Sequence, residues 1–305
     1  MKKVLVLDGG GAKGIMQNKI ITEIEKGVSK KVAEIFDLIV GTSVGAINGA
    51  MHASGKITSE TDAHVFDTVV KKVFGKKHLV PPLYTADPIK DGFDTYLGAN
   101  FTMGKCATKF MCTSVSAVDK MTHYFRSWGE SCDALIYDIV RRSFAAPFFF
   151  GQVIDEKNQQ VWLDGGVGIA NCPLLPALEE IQKLGWVTDK ESVLLINIGT
   201  GYALETVPFE KAKKYDFIRQ IGEFMDPLDG GLARYQALTY QRMILDCNLD
   251  CNTGIYGVVV DTVIPESLDK MDNIDAMDTY LKLGQELYEN TVASNEKVMG
   301  ILKSN

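Results

Sequence analysis

The chain has 305 residues, of which 46% are hydrophobic and 23% are charged. These proportions are those of an ordinary globular protein, and the length allows one large α/β domain or two small ones. The net charge of −7 argues against nucleic acid as the main partner, because phosphate binding needs a basic surface. No stretch approaches the ~18 apolar residues of a membrane span, so we expect a cytoplasmic protein.

The first 55 residues alternate between strand and helix patterns. "KVLVLD", residues 3–8, predicts a buried strand followed by glycines. Residues 15–31 carry isoleucines at near-helical spacing and predict a helix that stops at Gly27. "FDLIVGTS", residues 36–43, predicts a second buried strand, and the next helix ends at Gly55. This βαβα order predicts parallel strands with a right-handed crossover.

Residues 56–100 break this rhythm. They predict a helix and then an irregular segment interrupted by Pro81-Pro82 and Asp87-Pro88. Segments of this kind often form lids or substrate walls. Residues 109–119 and 121–128 then predict two adjacent strands.

The rest of the chain continues the α/β pattern. Ser131 is a plausible N-cap for a helix, and strands are predicted at 159–167, 192–201 and 256–261. Helices are predicted at 173–185 and across 272–303. We therefore expect a single α/β domain over residues 1–305, with helical elaborations toward the C-terminus. The six cysteines include no C-x-x-C pair, so we expect neutral thiols and no metal site, with Cys247 and Cys251 on one helix face.

The first of three glycine-rich turns is "DGGGAKG", residues 8–14. Its glycines can bring backbone N–H groups against a ligand, and the following helix adds partial positive charge. The turn matches the G-x-G-x-x-G of dinucleotide-binding folds. It is equally compatible with an oxyanion hole formed by the amides of Gly10 and Gly11.

The second and third turns carry a serine and an aspartate. "GTSVG", residues 41–45, lies between a predicted strand and a predicted helix, which is the setting of a nucleophile elbow. A helix N-cap is the structural alternative for Ser43. Asp164-Gly165-Gly166 follows a predicted strand, and its alternative is a simple turn that closes the strand.

A serine nucleophile needs a proton acceptor, and the chain has only four histidines. His52 lies on the helix after Ser43, roughly 13 Å away along its axis. His64 and His78 fall in the irregular segment, and His123 falls within a predicted strand pair. A Ser-His-Asp triad is therefore disfavoured, which leaves Asp8 or Asp164 as the acceptor.

The ordered blocks "DGGGAKG", "GTSVG" and "DGG" resemble the patatin-like phospholipases, and "FAAPFFF" and "LDGGVGIANCP" are similar to further segments of that family. The resemblance covers roughly residues 3–200. It implies a three-layer α/β sandwich around a mostly parallel central sheet. It also implies a lipid acyl hydrolase that works through a Ser-Asp dyad without metal or cofactor.

The resemblance also assigns roles to individual residues. Ser43 is similar to the family nucleophile and Asp164 to its general base. Gly10 and Gly11, with Gly9 beside them, resemble the oxyanion loop. Lys13 stands where the family has Arg or Lys, either to bind an anionic head group or to neutralise a carboxylate. Asp8 becomes structural and is expected to bond the turn amides.

Other functions stay open on the sequence alone. A serine acyltransferase or thioesterase would share the acyl-enzyme, and a non-catalytic relative would keep the pocket. A nucleotide-binding protein would use the loop at residues 9–14, although its second strand should end in an acidic residue rather than in Gly41-Thr42-Ser43.

The expected partners are a phospholipid or another acyl-ester lipid, with peripheral membrane contact and no nucleic acid. Candidates for a lid or apolar rim are residues 79–100, Phe148–Phe150 and 222–235. The sequence predicts neither the head group nor the oligomeric state.

Overall fold

The computed structural model describes residues 1–167, 171–188, 192–203, 208–214, 238–243 and 254–304. Within these residues the chain forms an eight-stranded sheet. The strands are β1 (Lys2–Leu7), β2 (Leu38–Gly41), β3 (Lys109–Ser116), β4 (Thr122–Arg126), β5 (Val153–Asp155), β6 (Gln160–Asp164), β7 (Val193–Ile198) and β8 (Ile255–Val260). Their order is β5-β6-β3-β2-β1-β7-β8, and β4 pairs with β3.

The middle of the sheet is parallel. Strands β3, β2, β1, β7 and β8 all run in one direction, with Val4 opposite Leu38 and Leu195. Strands β4, β5 and β6 form antiparallel pairs at one side. The mostly parallel sheet predicted from the sequence is confirmed, and so is the parallel pairing of the first two strands.

Helices within the described residues surround this sheet. They are α1 (Gly14–Val28), α2 (Val32–Ile35), α3 (Val44–Ala53), α4 (Ser59–Phe74), α5 (Asp87–Tyr96), α6 (Ile136–Ser143), α7 (Leu174–Lys183), α8 (Phe209–Ala212), α9 (Met277–Leu287) and α10 (Glu296–Lys303). A π-helical segment, Tyr288–Ala293, follows α9 directly and leads to α10. Residues 238–243 are also helical. None of the helices in this part of the chain is long and apolar enough to cross a membrane.

Successive side chains of each strand point to alternate faces of the sheet, and a hydrophobic core lies on each face. Leu5, Ile39 and Ile196 belong to one core, which also contains the apolar residues of α1, α3, α4 and α9. Val4 and Val40 belong to the other, which packs on α7. Because successive strand residues point to opposite faces, a fully apolar strand needs a helical layer on each side. The expected three layers follow.

Two local predictions were wrong, each because of a tertiary contact. Helix α1 continues past Gly27 and is capped by Ser29, whose φ is 59°. A Cβ on Gly27 would lie 2.7 Å from the Tyr288 hydroxyl, so this glycine allows close packing. Leu135, rather than Ser131, precedes α6, because Leu135 is extended and pairs with Thr102.

Two elements were missed. Pro88 lies in the first turn of α5, where a helix needs no N–H donor, so it begins a helix instead of interrupting one. The short edge strand β5 was not recognised, although it pairs with β6.

The C-terminal elements extend the same architecture. Strand β8 adds to the sheet beside β7, and α9 packs against α1. These contacts support the proposal of one domain over residues 1–305. Cys247, Cys251 and the segment 222–235 lie outside the described residues.

Candidate active site

Two strand ends meet along one edge of β3. Strand β4 pairs with residues 111–115 of β3, so β2 and β6 must both lie on the opposite edge. The pairing of β2 ends with Gly41 opposite Cys112. That of β6 ends with Asp164 opposite Ser114. The two chains therefore approach from opposite directions, and the residues that follow Gly41 come beside Asp164.

Ser43 occupies a strained turn between β2 and α3. Its φ of 54° and ψ of −122° are rare for a residue with a side chain, and such a conformation costs roughly 1–3 kcal/mol. Its N–H donates to Ser143 Oγ at 3.1 Å. Although Ser43 stands at the N-cap position of α3, its hydroxyl makes no capping hydrogen bond. The hydroxyl is therefore free for other chemistry.

The glycines on either side of Ser43 are required by close backbone contacts. A Cβ on Gly41 would collide with the Gly45 carbonyl group. A Cβ on Gly45 would collide with the carbonyl of Leu7, at the end of β1. Helix α3 can therefore approach β1 and β2 only without side chains at these positions, which accounts for the G-x-S-x-G pattern.

Asp164 is a fully buried carboxyl beside Ser43. Burial raises the pKa of Asp164 to about 7, while the Gly166 amide, the Ser43 hydroxyl and the Arg141 charge act to lower it. Oδ1 accepts a hydrogen bond from the Gly166 N–H at 2.7 Å. Oδ2 has no formed hydrogen bond in the described part of the chain, although the Ser43 hydroxyl is near enough to lower the pKa of Asp164. Contacts of this kind commonly tighten when a substrate binds.

The first glycine turn faces the same site. The Gly10 and Gly11 amides donate no hydrogen bond to any residue that the structure describes. Gly11 has a φ of +60°, and a Cβ there would collide with the Met271 carbonyl. Gly9 differs from expectation, because its amide already donates to the Asn171 carbonyl at 2.9 Å. The free donors of this turn are therefore those of Gly10 and Gly11, and Gly9 anchors the turn.

Lys13 and Asp8 belong to the same turn, and both have partners in other parts of the chain. Lys13 is buried, forms an ion pair with Asp269 and donates to the Gly201 carbonyl at 3.2 Å. This contact corresponds to the carboxylate-neutralising alternative, and head-group binding stays a prediction. The prediction that Asp8 bonds the turn amides was wrong. Its Oδ1 accepts from Asn197 Nδ2 at 2.7 Å, and burial raises the pKa of Asp8 well above its usual value.

None of the four histidines lines the two pockets at Ser43. His52 Nε2 lies 3.4 Å from Asn18 Oδ1, and His123 Nε2 lies 2.8 Å from Asp119 Oδ2. His64 lines a separate groove between α4 and α5, and His78 is exposed. Among the residues that the structure describes, Asp164 is the titratable side chain beside the Ser43 hydroxyl.

Ser43 lies where a polar pocket and an apolar pocket meet. The polar pocket includes Gly10, Lys13, Asp164, Asn171, Thr200, Gln241 and Asp261. The apolar pocket includes Val44, Ile47, Phe66, Val69, Val70, Val73, Phe74, Ile89, Phe144, Phe149 and Phe150. Sequence reasoning missed most of these residues. The spacing of Phe66, Val69, Val70 and Val73 was the available signal, since it marks one helix face.

The family profile of the Patatin-like phospholipase matches residues 5–178. The chain belongs to the patatin-like phospholipase family. All three glycine-rich turns fall within the matched residues.

Named relatives of this patatin-like chain include bacterial and plant proteins. A "cGAMP-activated phospholipase" of Escherichia coli (strain TW11681) is 27% identical over 221 residues, which are 65% of this chain and 62% of that protein. "Phospholipase A I" of Arabidopsis thaliana is 38% identical over 273 residues, covering 65% of this chain and 20% of that protein. This chain thus spans less than two thirds of each relative's length.

Among solved structures, the patatin-like chain is similar to VipD from Legionella pneumophila. The match has a TM-score of 0.46 and 14% identity, and it covers 95% of this chain and 67% of that one.

Proposed function

We propose that this protein is a lipid acyl hydrolase that cleaves fatty-acyl esters through an acyl-enzyme on Ser43, with Asp164 as general base. The observation that carries the proposal is the uncapped Ser43 hydroxyl beside a fully buried carboxyl whose pKa burial raises to about 7. A base with a pKa near the operating pH combines a large ionised fraction with useful proton affinity.

The reaction divides into two steps. Ser43 Oγ attacks the ester carbonyl while Asp164 accepts its proton, and the same proton passes to the departing alcohol. A water molecule then attacks the acyl-enzyme with Asp164 again as base, and the fatty acid leaves. The proposed steps use only side chains and amides of this chain.

The negative oxygen that forms in each step would be held by the Gly10 and Gly11 amides. These N–H groups have no other described acceptor, and they precede α1, whose N-terminus adds partial positive charge. Preorganised donors of this kind are each worth about 3–4 kcal/mol of transition-state stabilisation.

The two pockets at Ser43 support an orientation for the substrate. The apolar pocket suits the fatty-acyl chain, because valine, isoleucine and phenylalanine side chains line it. The polar pocket suits the alcohol or head group, since it offers carboxyl, amide and hydroxyl groups. Phospholipids and other acyl-ester lipids both fit this division, and the phospholipase names of the relatives favour a phospholipid.

Labelling with a fluorophosphonate probe tests the nucleophile. The wild-type protein and the control variant Ser131→Ala should be labelled, and Ser43→Ala should not. Asp164→Asn should stay folded and react at least about 100-fold more slowly, because it cannot accept the proton. Labelling of Ser43→Ala, or ester hydrolysis by it, would contradict the proposal.

A serine acyltransferase or thioesterase would pass the labelling test, because both form the same acyl-enzyme. Products and substrates separate them. An acyltransferase moves the radiolabelled acyl group of an ester to glycerol, and a thioesterase favours the matching acyl thioester, whereas a lipid acyl hydrolase releases free fatty acid from the oxygen ester. The nucleotide-binding alternative requires the folded, unlabelled protein to bind NAD or ATP in calorimetry, and we expect no such binding.

A further inference from the structure

Three of the most exposed apolar side chains of the described chain lie on two adjoining segments. Leu79, Val80 and Phe148 have relative exposures of 102%, 71% and 70%. The turn at 78–83 stands on the segment 147–151, because the Leu83 N–H donates to the Phe148 carbonyl at 2.7 Å. We call Leu79, Val80 and Phe148 the apolar tip. Single exposed apolar residues are ordinary, but a cluster indicates an interaction surface.

The backbone at Phe148 is strained. Its φ is 66°, which is an outlier for a bulky residue. Two successive hydrogen bonds hold this conformation, since the Tyr84 N–H also donates to the Phe149 carbonyl at 2.9 Å. The fold therefore keeps an aromatic ring in water through a backbone conformation that is itself unfavourable. Strain of this kind concentrates at functional positions.

The apolar tip adjoins the apolar pocket at Ser43. Phe149 and Phe150, next to Phe148 in the chain, both line that pocket. Phe74, at the end of α4, lies 4.9 Å from Tyr84 and 6.2 Å from Phe150 between ring centroids. An aromatic layer thus continues from beneath the tip to the mouth of the pocket.

Lysines directly precede the tip in the sequence of an otherwise acidic protein. Residues 71–83 contain Lys71, Lys72, Lys76 and Lys77 and no acidic residue, whereas the whole chain has a net charge of −7. Lys71 pairs with Asp67, and Lys77 lies 3.3 Å from Asp272. Lys72 and Lys76 form no ion pair within the described residues, and both are exposed. Their charge is therefore available to an external partner.

We propose that the apolar tip and its lysines form the face that docks on an anionic lipid bilayer. Apolar side chains flanked by lysines have the chemistry of peripheral membrane anchors, in which the chains enter the interface and the ammonium groups meet anionic head groups. This inference rests on the proposed function in one respect: docking here would place the mouth of the acyl pocket at the bilayer surface.

Vesicle sedimentation with the Ser43→Ala protein tests this proposal on intact lipid. Vesicles of phosphatidylcholine alone are compared with vesicles that also contain phosphatidylglycerol. We expect binding to the anionic vesicles and a decline of binding with added salt. Leu79→Ser/Val80→Ser/Phe148→Ser should bind at least about tenfold more weakly.

The lysines have a control pair elsewhere on the surface. Lys72→Gln/Lys76→Gln should lose about fivefold in affinity per lysine, and only on anionic vesicles. Lys26→Gln/Lys303→Gln removes two other exposed lysines, near the ends of α1 and α10, and should leave binding unchanged. Phe148→Trp should retain binding and show a blue-shifted fluorescence on vesicles.

The outcomes separate docking from catalysis. When the tip substitutions are made in the wild-type chain, which keeps Ser43, the variants should still hydrolyse a water-soluble butyrate ester at the wild-type rate. The docking face would be overturned if the parent and the tip variants bound vesicles equally, or if the parent bound no vesicles at all. It would also be overturned if Lys26→Gln/Lys303→Gln lost as much vesicle affinity as Lys72→Gln/Lys76→Gln. Tip-dependent binding by a protein that hydrolyses no ester would instead overturn the proposed function and leave the docking face standing.

Discussion

At the scale of single residues, the ionisation of Asp164 controls the proposed reaction. Only the carboxylate can accept the Ser43 proton, and burial raises the pKa of Asp164 to about 7. We therefore expect kcat/KM for a soluble ester to rise with pH, with a midpoint near this value, and then to level off. Measurement of kcat/KM in a stopped assay, over about two pH units below and above this midpoint, tests the expectation. A flat profile would contradict the role of Asp164 as base.

The same carboxyl is expected to destabilise the fold at neutral and basic pH. Its pKa in the folded protein lies above the ordinary value of 3.8, so the folded state holds the proton more tightly than the unfolded chain does. This contribution to stability is complete below the ordinary pKa and is lost as pH rises to about 7.

Asp164→Asn should consequently be more stable than the wild type above neutral pH. We expect a gain in the free energy of unfolding of about 2–4 kcal/mol near pH 8, shrinking toward pH 4. Urea unfolding of both proteins at the two pH values measures the difference. A gain that does not change with pH would mean that ionisation of Asp164 does not lower the free energy of unfolding.

At the scale of secondary-structure elements, one ion pair joins two distant segments. Lys13, at the start of α1, pairs with Asp269, whose Oδ2 also accepts the Ala203 N–H at 2.8 Å. Removing one partner of a buried pair leaves the other charge uncompensated and typically costs about 3–5 kcal/mol.

Lys13→Met should therefore lower the melting temperature strongly, and Lys13→Met/Asp269→Leu should recover much of the loss. Thermal unfolding and soluble-ester kinetics together decide between the two roles of Lys13. If it binds an anionic head group instead, Lys13→Met would raise KM for phospholipid while the melting temperature stays unchanged.

Helix α4 supplies one wall of the apolar pocket. Val70 is nearly buried on this wall, among side chains spaced along one helix face. Val70→Trp should fill the pocket and lower kcat/KM for a palmitate ester by at least about tenfold relative to a butyrate ester. Lys71→Trp, on the exposed side of α4, is the control and should leave this ratio unchanged. An unchanged ratio in Val70→Trp would mean that the acyl chain lies elsewhere.

At the scale of the whole molecule, the site depends on residues beyond the family match at 5–178. The Met271 carbonyl accepts the Ala12 N–H at 2.7 Å and so supports the glycine turn. Asp272 Oδ2 accepts a hydrogen bond from the Tyr84 hydroxyl at 2.7 Å. Residues 271–272 therefore connect the glycine turn to the segment beside the apolar tip.

A fragment that ends after β7 should therefore lose ester hydrolysis, although it retains Ser43 and Asp164. It lacks the support at residues 271–272 and exposes the edge of β7 that β8 covers. Expression of residues 1–201 with a soluble-ester assay tests this. Wild-type activity in the fragment would show that the C-terminal elements are dispensable.

Much of the architecture was readable from the sequence because its signals are local. Apolar runs closed by glycines predicted β1, β2, β6 and β7, and each carries its turn at the predicted end. Gly41 and Gly45 also have a local reason, since the chain must turn sharply at Ser43 without side chains on either side. The errors at Gly27 and Ser131 arose where a partner distant in sequence decided the outcome.

The sequence by itself determined the three turns and the α/β order. It also determined that Ser43 has no histidine placed to accept its proton. Only the tertiary structure decided what those turns do together. The shared edge of β3 brings Asp164 beside Ser43, and burial there raises the pKa of Asp164. The partners of Lys13 and Asp8 lie 256 and 189 residues away. No local pattern encodes such contacts, because burial and charge pairing depend on which segments the folded chain brings together.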